Sequence, residues 1–362
     1  MSLDIALKYL LWVCVGGLLV SKLTTRRHIQ VLDNKRERWS IFALLCLIGP
    51  LVYWCATRSR WIGDTNAYYE MFRRAPTDLS GVSAFAHTYS KDNFFYGSVA
   101  VIKCLITENP QVFLAIIAAT QLLCLGLIYR KFSRNVWLSI FLFVASTDYF
   151  AWMYNGMRQF LAAAISFAAL PFIVKKKYIP AILIIYLGSL MHKTALLLVP
   201  VIFIVQGKAW NKKTLLIMLG TVFAVAFVSE FTSFLDGLLQ ETQYENVVSD
   251  WTNSTDDGTN VLRVLVYAVP TVLSLVYKKT IDEANNPLIN VCVNMSIVST
   301  AVYVLSIFTS GIFMGRLPIY MSLYNYILLP WELRHCFLKS SRLFMTVAMC
   351  VAYGLFYCYS FM

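Results

Sequence analysis

The side chains with chemistry to offer are few and fall in four short stretches: G-D-T-N-A-Y at Gly63 to Tyr68, N-G-M-R-Q at Asn155 to Gln159, M-H-K-T-A at Met191 to Ala195, and G-R-L-P-I-Y at Gly315 to Tyr320. They supply a carboxylate (Asp64), an imidazole (His192) and three cations (Arg158, Lys193, Arg316), and Arg263 adds a fourth cation elsewhere. Guanidinium forks and helix N-termini are good sites for phosphate. A carboxylate or a neutral imidazole accepts a proton from a hydroxyl. The set suits binding of an anion together with activation of a hydroxyl. No second histidine lies near His192 and no D-x-D pair is present, so no metal site is indicated.

Arg158, Lys193, Arg263 and Arg316 each read as the start of a helix descending from the outer face of a membrane. A cation there meets the positive end of the helix dipole, at a cost of roughly 0.3 to 1 kcal/mol. It also opposes the bias that keeps Lys and Arg on the cytoplasmic side. A bound anion reverses the sign of both effects; snorkelling to headgroups or pairing with an outside acid is the ordinary alternative for any one of them. Next to a lysine and a helix N-terminus, His192 is expected to be neutral and able to accept a proton. Asp64 faces two readings, a carboxylate in a cavity or the N-cap of a helix over residues 65–72. Tyr68, Tyr154, Asn155, Gln159 and Tyr320 are candidates to orient a substrate, and the aromatics at this level suit either an interface belt or stacking on sugar rings.

The elements that must position these groups are membrane helices. The chain has 362 residues, 59% hydrophobic and only 14% charged, with repeated apolar runs of bilayer-spanning length. Twelve spans are expected, at residues 3–21, 40–57, 111–129, 136–153, 158–174 and 178–191, then 194–207, 214–230, 261–277, 288–310, 317–331 and 343–361. No polar stretch or linker divides the chain, so residues 1–362 read as a single integral membrane domain. The first run lacks a cationic leader and a cleavage site and is taken as a retained helix. Basic clusters holding 20 of the 31 Lys and Arg fall on alternate connections, which makes that side cytoplasmic and puts both termini outside. This topology also absorbs the net charge of +12, so nucleic acid is not implied. Two outside segments, 58–110 and 231–260, are long enough to cover an outward-facing cavity, and the run near 94–107 reads as an interfacial or re-entrant helix. The nine cysteines lie nearly all within apolar runs and form no disulfide framework.

At the four quoted stretches, which occur in order across most of the chain, the sequence resembles the EpsG-like branch of Wzy-type polysaccharide polymerases. The resemblance implies an all-α polytopic fold of the GT-C type. It implies transfer of a growing glycan from undecaprenyl pyrophosphate to the non-reducing end of a lipid-linked repeat unit, at the outer face of the bacterial cytoplasmic membrane. The positions that carry over are Asp64, Arg158, His192 and Arg316, with Arg263 added from its placement. Arg158 and Arg316, helped by Arg263 and Lys193, would bind the pyrophosphate; His192 or Asp64 would take the proton. No cofactor and no metal are required, the bilayer and the lipid-linked oligosaccharides are the partners, and a chain-length regulator is expected by family analogy. Two alternatives stand beside this one: a ligase of the O-antigen type, which passes the glycan to another acceptor, and a lipid-linked oligosaccharide flippase or other transporter. A transporter places polar groups at the membrane midplane, whereas these midspans are apolar.

Overall fold

The computed structural model describes residues 3–23, 27–31, 34–239 and 258–362. Apart from a short antiparallel hairpin pairing Arg27–Val31 with Asn34–Arg38, the described residues form helices. Among the described residues, four helices are long and apolar enough to cross a membrane: Leu3–Lys22, Pro110–Phe132, Pro287–Ile307 and Arg342–Ser360. Two bent pairs, Lys212–Ala226 with Val228–Phe234 and Val261–Val276 with Lys278–Ala284, bring the number to six. Every one of the twelve expected spans coincides with helix, but several are shorter than a bilayer or broken.

The breaks have local causes. Thr147 adopts a left-handed φ of 72°, which splits the expected span at 136–153 into Val136–Ala145 and Asp148–Met153. Pro171 has no N–H to give to the preceding turn, and the chain tightens there between Met157–Phe167 and Leu170–Val174. The expected span at 317–331 is divided into Ile319–Ser322 and Asn325–His335. Arg316 therefore ends a one-turn segment, Met314–Arg316, and does not begin a long helix.

The chain forms two compact units where the sequence showed no boundary: Met1–Leu196 together with Phe337–Met362, and Leu197–Cys336. In the first unit the N-terminal helix is locked in by side chains. The Tyr357 hydroxyl donates to the carbonyl of Ala6 at 2.6 Å and the Trp12 indole donates to that of Leu47 at 2.8 Å. Residues 58–110 are not a solvated loop. They fold into the helices Thr65–Arg74, Val82–His87 and Asn93–Leu105. The run expected near 94–107 is thus a 13-residue helix. Its Phe95, Val99 and Ala100 join Tyr69 and Phe72 in one core with Phe113, Leu114 and Ile117 of the Pro110–Phe132 helix and Met157 and Leu161 of the Met157–Phe167 helix. The rings of Phe72 and Phe113 stack 4.7 Å apart. Lys103 secures the end of Thr65–Arg74 by donating to the carbonyls of Arg73 and Ala75 at 2.7 and 2.6 Å, the favourable position for a cation on a helix.

The second unit is built around Pro287–Ile307, which is buried along most of its length and packs against Lys212–Ala226 and Val261–Val276. Asn294 ties it to the chain before Lys212 by donating to the carbonyls of Val205 and Lys208, each at 3.0 Å. The acidic segment expected at 231–260 lies largely outside the described residues.

The alanine-rich face of Met157–Phe167 packs tightly against Tyr178–Met191, as small residues allow. A Cβ at Gly188 would sit 2.8 Å from the carbonyl oxygen of Ala162 and collide with the Ser166 hydroxyl. Gly188→Val is expected to cost about 1 to 3 kcal/mol through overpacking. Thermal unfolding in detergent checks this, and an unshifted melting temperature would contradict the close packing.

Candidate functional site

Arg158 lies in the first turn of Met157–Phe167, as the sequence predicted, and its partner is a residue the sequence reading did not single out. Its Nη1 donates to Asp92 Oδ2 at 3.1 Å and to the Tyr96 hydroxyl at 2.9 Å. The guanidinium also lies 5.3 Å from the centroid of the Tyr96 ring and hydrogen-bonds Tyr68. An arginine has five N–H donors in a rigid fork. Nη1 uses both of its hydrogens on Asp92 and Tyr96, which fixes the plane and leaves part of the Nε–Nη2 edge for another anion. The Arg158 side chain is 30% exposed, that of Asp92 only 3%.

Asp92 is held in place by its backbone. It precedes the helix Asn93–Leu105 with a left-handed φ of 56°, a conformation that Asp tolerates better than most residues. Its side chain does not cap that helix. It turns instead to Arg158 and to the M-H-K-T-A turn, where the Lys193 backbone N–H donates to Oδ1 at 3.4 Å and His192 Nδ1 stands 3.8 Å from the same oxygen. His192 therefore has a carboxylate beside it, a neighbour missing from the sequence argument for its neutral form. Asn93 completes the arrangement by donating to the carbonyls of Ala86 and Tyr89, and Tyr89 stacks on Tyr96 with their ring planes 3° apart. The sequence marks Asp92 only as the start of a helix. An Asp-Asn pair at the head of the apolar run from Phe94 is an acid where a helix must begin.

The Asp64 stretch and the Asn155 stretch meet directly. The Asp64 N–H donates to the Tyr154 carbonyl at 3.0 Å. Gly63 takes a φ of 56°, and a Cβ there would run into the Asn155 side chain and lie 2.6 Å from the Tyr154 carbonyl. Asp64 stands immediately before Thr65–Arg74, but its side chain makes no capping hydrogen bond. Arg58, buried, anchors the segment: Nε donates to the Thr65 hydroxyl at 2.7 Å, Nη1 to the Cys55 carbonyl at 2.8 Å, and its guanidinium lies 4.5 Å from the Tyr154 ring centroid.

These pieces enclose a cavity of about 460 Å³. Asn66, Glu70 and Arg74, four residues apart on one stripe of their helix, form one wall with Tyr68 and Met71; Asp64, Tyr89, Tyr96 and Arg158 complete it. The cavity thus carries carboxylates and guanidinium groups together with tyrosine rings. Burial raises the pKa of the Tyr68 hydroxyl, although the charge of Arg158 pulls the other way. The phenol therefore stays neutral at physiological pH and accepts from the arginine.

Of the other predicted site residues, Asn155 is exposed beside Gly63, whereas Tyr154 and Gln159 are buried. Tyr154 shares a 2.7 Å hydrogen bond with the Tyr9 hydroxyl, so it packs the unit and does not line the cavity. Lys193 is exposed at the turn whose amide meets Asp92. In the second unit, Arg263 occupies the first turn of Val261–Val276, 5.5 Å from the Tyr267 ring centroid, on a helix capped by the Asn260 side chain. Arg316 is exposed and Tyr320 buried. The stretches bearing the two arginines are tied to each other. The Thr259 N–H donates to the Ser306 carbonyl at 2.9 Å, the Ser306 hydroxyl donates to that of Thr259 at 2.8 Å, and Gly315 lies against the same threonine.

The model of the EpsG family matches residues 41–362. The chain belongs to the EpsG family. This is a Wzy-like polysaccharide polymerase family, and its match takes in all four quoted stretches, the cavity and both tied arginines of the second unit. No curated protein and no solved structure matches the chain. For this family member, membership and apolar helices together support a membrane protein that acts on polysaccharide.

Gly63→Ala tests the junction of the Asp64 and Asn155 stretches. Strain and collision together are expected to cost about 1 to 3 kcal/mol. Melting in detergent reads the change, and a variant as stable as the parent would mean that the two stretches are not held in register here.

Proposed function

We propose that this protein is a polysaccharide polymerase that moves a growing glycan from undecaprenyl pyrophosphate to the non-reducing end of a lipid-linked repeat unit, at the outer face of the cytoplasmic membrane and without a metal. The observation that carries the reading is Arg158. In a member of the EpsG family, a guanidinium fixed by a buried carboxylate and two tyrosines presents its remaining edge to a cavity that also holds a carboxylate and stackable rings.

In the transfer, the acceptor hydroxyl oxygen forms a bond to the anomeric carbon as the bond from that carbon to the pyrophosphate oxygen breaks. The electron pair leaves with the lipid pyrophosphate, and the hydroxyl proton passes to Asp64 or His192. Charge accumulates on the departing diphosphate. A guanidinium already oriented and partly withdrawn from water stabilises that charge without reorganising, which is where electrostatic catalysis is largest. A pyrophosphate entering the cavity shares Arg158 with Asp92, so the arginine is anchored from behind while it binds in front. Tyr68, Tyr89 and Tyr96 offer faces and hydroxyls to the sugar rings. Arg263 and Arg316, in the second unit, are anion-binding candidates on the strength of the sequence alone, and Lys193 contributes charge at the turn beside Asp92.

Arg158→Ala is expected to lower chain elongation about 10²- to 10³-fold, with Arg158→Lys intermediate because it keeps the charge and loses the fork. The assay supplies the purified protein with the lipid-linked repeat unit and reads glycan multiples on a gel alongside released undecaprenyl pyrophosphate. Full activity in a correctly folded Arg158→Ala protein would remove the pyrophosphate assignment. Transfer only to a different added acceptor would identify a ligase, and passage of unchanged substrate across liposomes a transporter.

A further inference from the structure

Either His192 or Asp64 has the chemistry to accept the acceptor proton, and their surroundings separate them. We infer that Asp64 is the general base, and that His192 is a positioning residue which acts through the buried Asp92 to hold Arg158. This rests on the polymerase reading above and names the base within it.

Asp64 is exposed and stands in the cavity wall with Arg158. Its backbone is set by the left-handed Gly63 and by the hydrogen bond to the Tyr154 carbonyl. Its carboxylate is not used to cap the following helix. Glu70, the other carboxylate of the wall, is already paired with Arg73 at 3.4 Å. A base must come within hydrogen-bond reach of the hydroxyl it deprotonates, and the cavity beside Arg158 is where that hydroxyl meets the anomeric carbon.

His192 stands outside that wall. The group it approaches is Asp92, whose two oxygens divide their work. Oδ2 accepts from Arg158 at 3.1 Å, while Oδ1 accepts from the Lys193 N–H at 3.4 Å and lies 3.8 Å from His192 Nδ1. A movement of less than about 1 Å turns the last contact into a hydrogen bond. A carboxylate on Nδ1 of a histidine is also how a catalytic base is oriented, but that arrangement serves catalysis only when Nε2 faces the reacting atoms. Here the carboxylate's second oxygen leads to the arginine. The chain of contacts runs from His192 through Asp92 to Arg158, and removing the imidazole loosens the arginine, not the proton acceptor.

The test uses the full-length protein in liposomes with the lipid-linked repeat unit extracted from the producing cells, and follows kcat and KM for elongation across pH. Asp64→Asn is expected to lower kcat by about 10² to 10⁴, and Asp64→Ala to regain part of it on addition of formate. His192→Gln is expected to raise KM by about tenfold through weakened anion binding while its kcat keeps the acid limb of the wild-type pH profile. Asp92→Asn should raise KM in the same way; should that variant fail to fold, His192→Gln and the formate rescue still decide the matter. Loss of the acid limb in His192→Gln, with the limb retained in Asp64→Asn, would overturn the inference and make His192 the base. A wild type that yields neither multiples nor released lipid pyrophosphate would instead overturn the polymerase reading, and this assignment with it.

Discussion

A carboxylate withdrawn from water must be compensated, because an isolated buried charge costs far more than any single packing contact returns. Asp92 meets that demand with Arg158 and the Lys193 amide, and much of the first unit follows from the arrangement. Arg158 belongs to a helix packed on its neighbours through alanine, and Lys193 to the turn that closes the next helix. Asp92 belongs to the segment folded over both. One carboxylate therefore fixes the register of three stretches far apart in sequence, and it does so at the edge of the cavity. The left-handed backbone at Asp92 is the local cost of aiming the side chain this way.

The apolar core beneath makes that register hold. Residues 58–110 pack Phe72, Phe95 and Val99 onto Phe113, Ile117 and Leu161, so the segment is anchored to the helical body. An ion pair with a partly exposed partner contributes little by itself. On a rigid base it contributes direction, because Asp92 and Tyr96 together hold Nη1 and so fix the guanidinium plane in one orientation. Arg58, buried, likewise ties neighbouring segments, joining the end of Ile41–Ala56 to Thr65 and to the Tyr154 ring.

The helical class and the apolar runs of membrane length could be read from apolar periodicity, since it depends only on local composition. Span integrity could not. Thr147 in a left-handed turn and Pro171 in the first turn of Leu170–Val174 mark breaks in apolar runs, and a hydropathy pattern does not register a break that leaves composition unchanged. Arg158 was legible because a cation at the head of an apolar helix is out of place. Asp92 was not, because an acid before a helix is ordinary and its importance comes from a contact 66 residues away. Tyr154 shows the converse. It sits inside a conspicuous stretch, yet its hydroxyl is bonded to Tyr9 and its ring is covered by Arg58, contacts that the sequence does not reveal.

The four misplaced cations, each expected at a helix N-terminus facing one kind of anion, do not form a uniform set in the structure. Arg158 keeps the predicted position, but the unfavourable dipole is answered by a protein carboxylate, so the helix end is stable before any ligand arrives. Lys193 offers its backbone amide to the same carboxylate while its ammonium remains exposed. Arg263 occupies a first turn whose N–H groups are already met by Asn260, and its charge lies over the Tyr267 ring. Arg316 is on a one-turn segment too short to have an appreciable dipole, so the dipole argument does not apply to it. The electrostatic case for an anion thus narrows to the geometry of individual donors. It is strongest where a guanidinium is anchored by the protein on one edge and open on the other, as at Arg158.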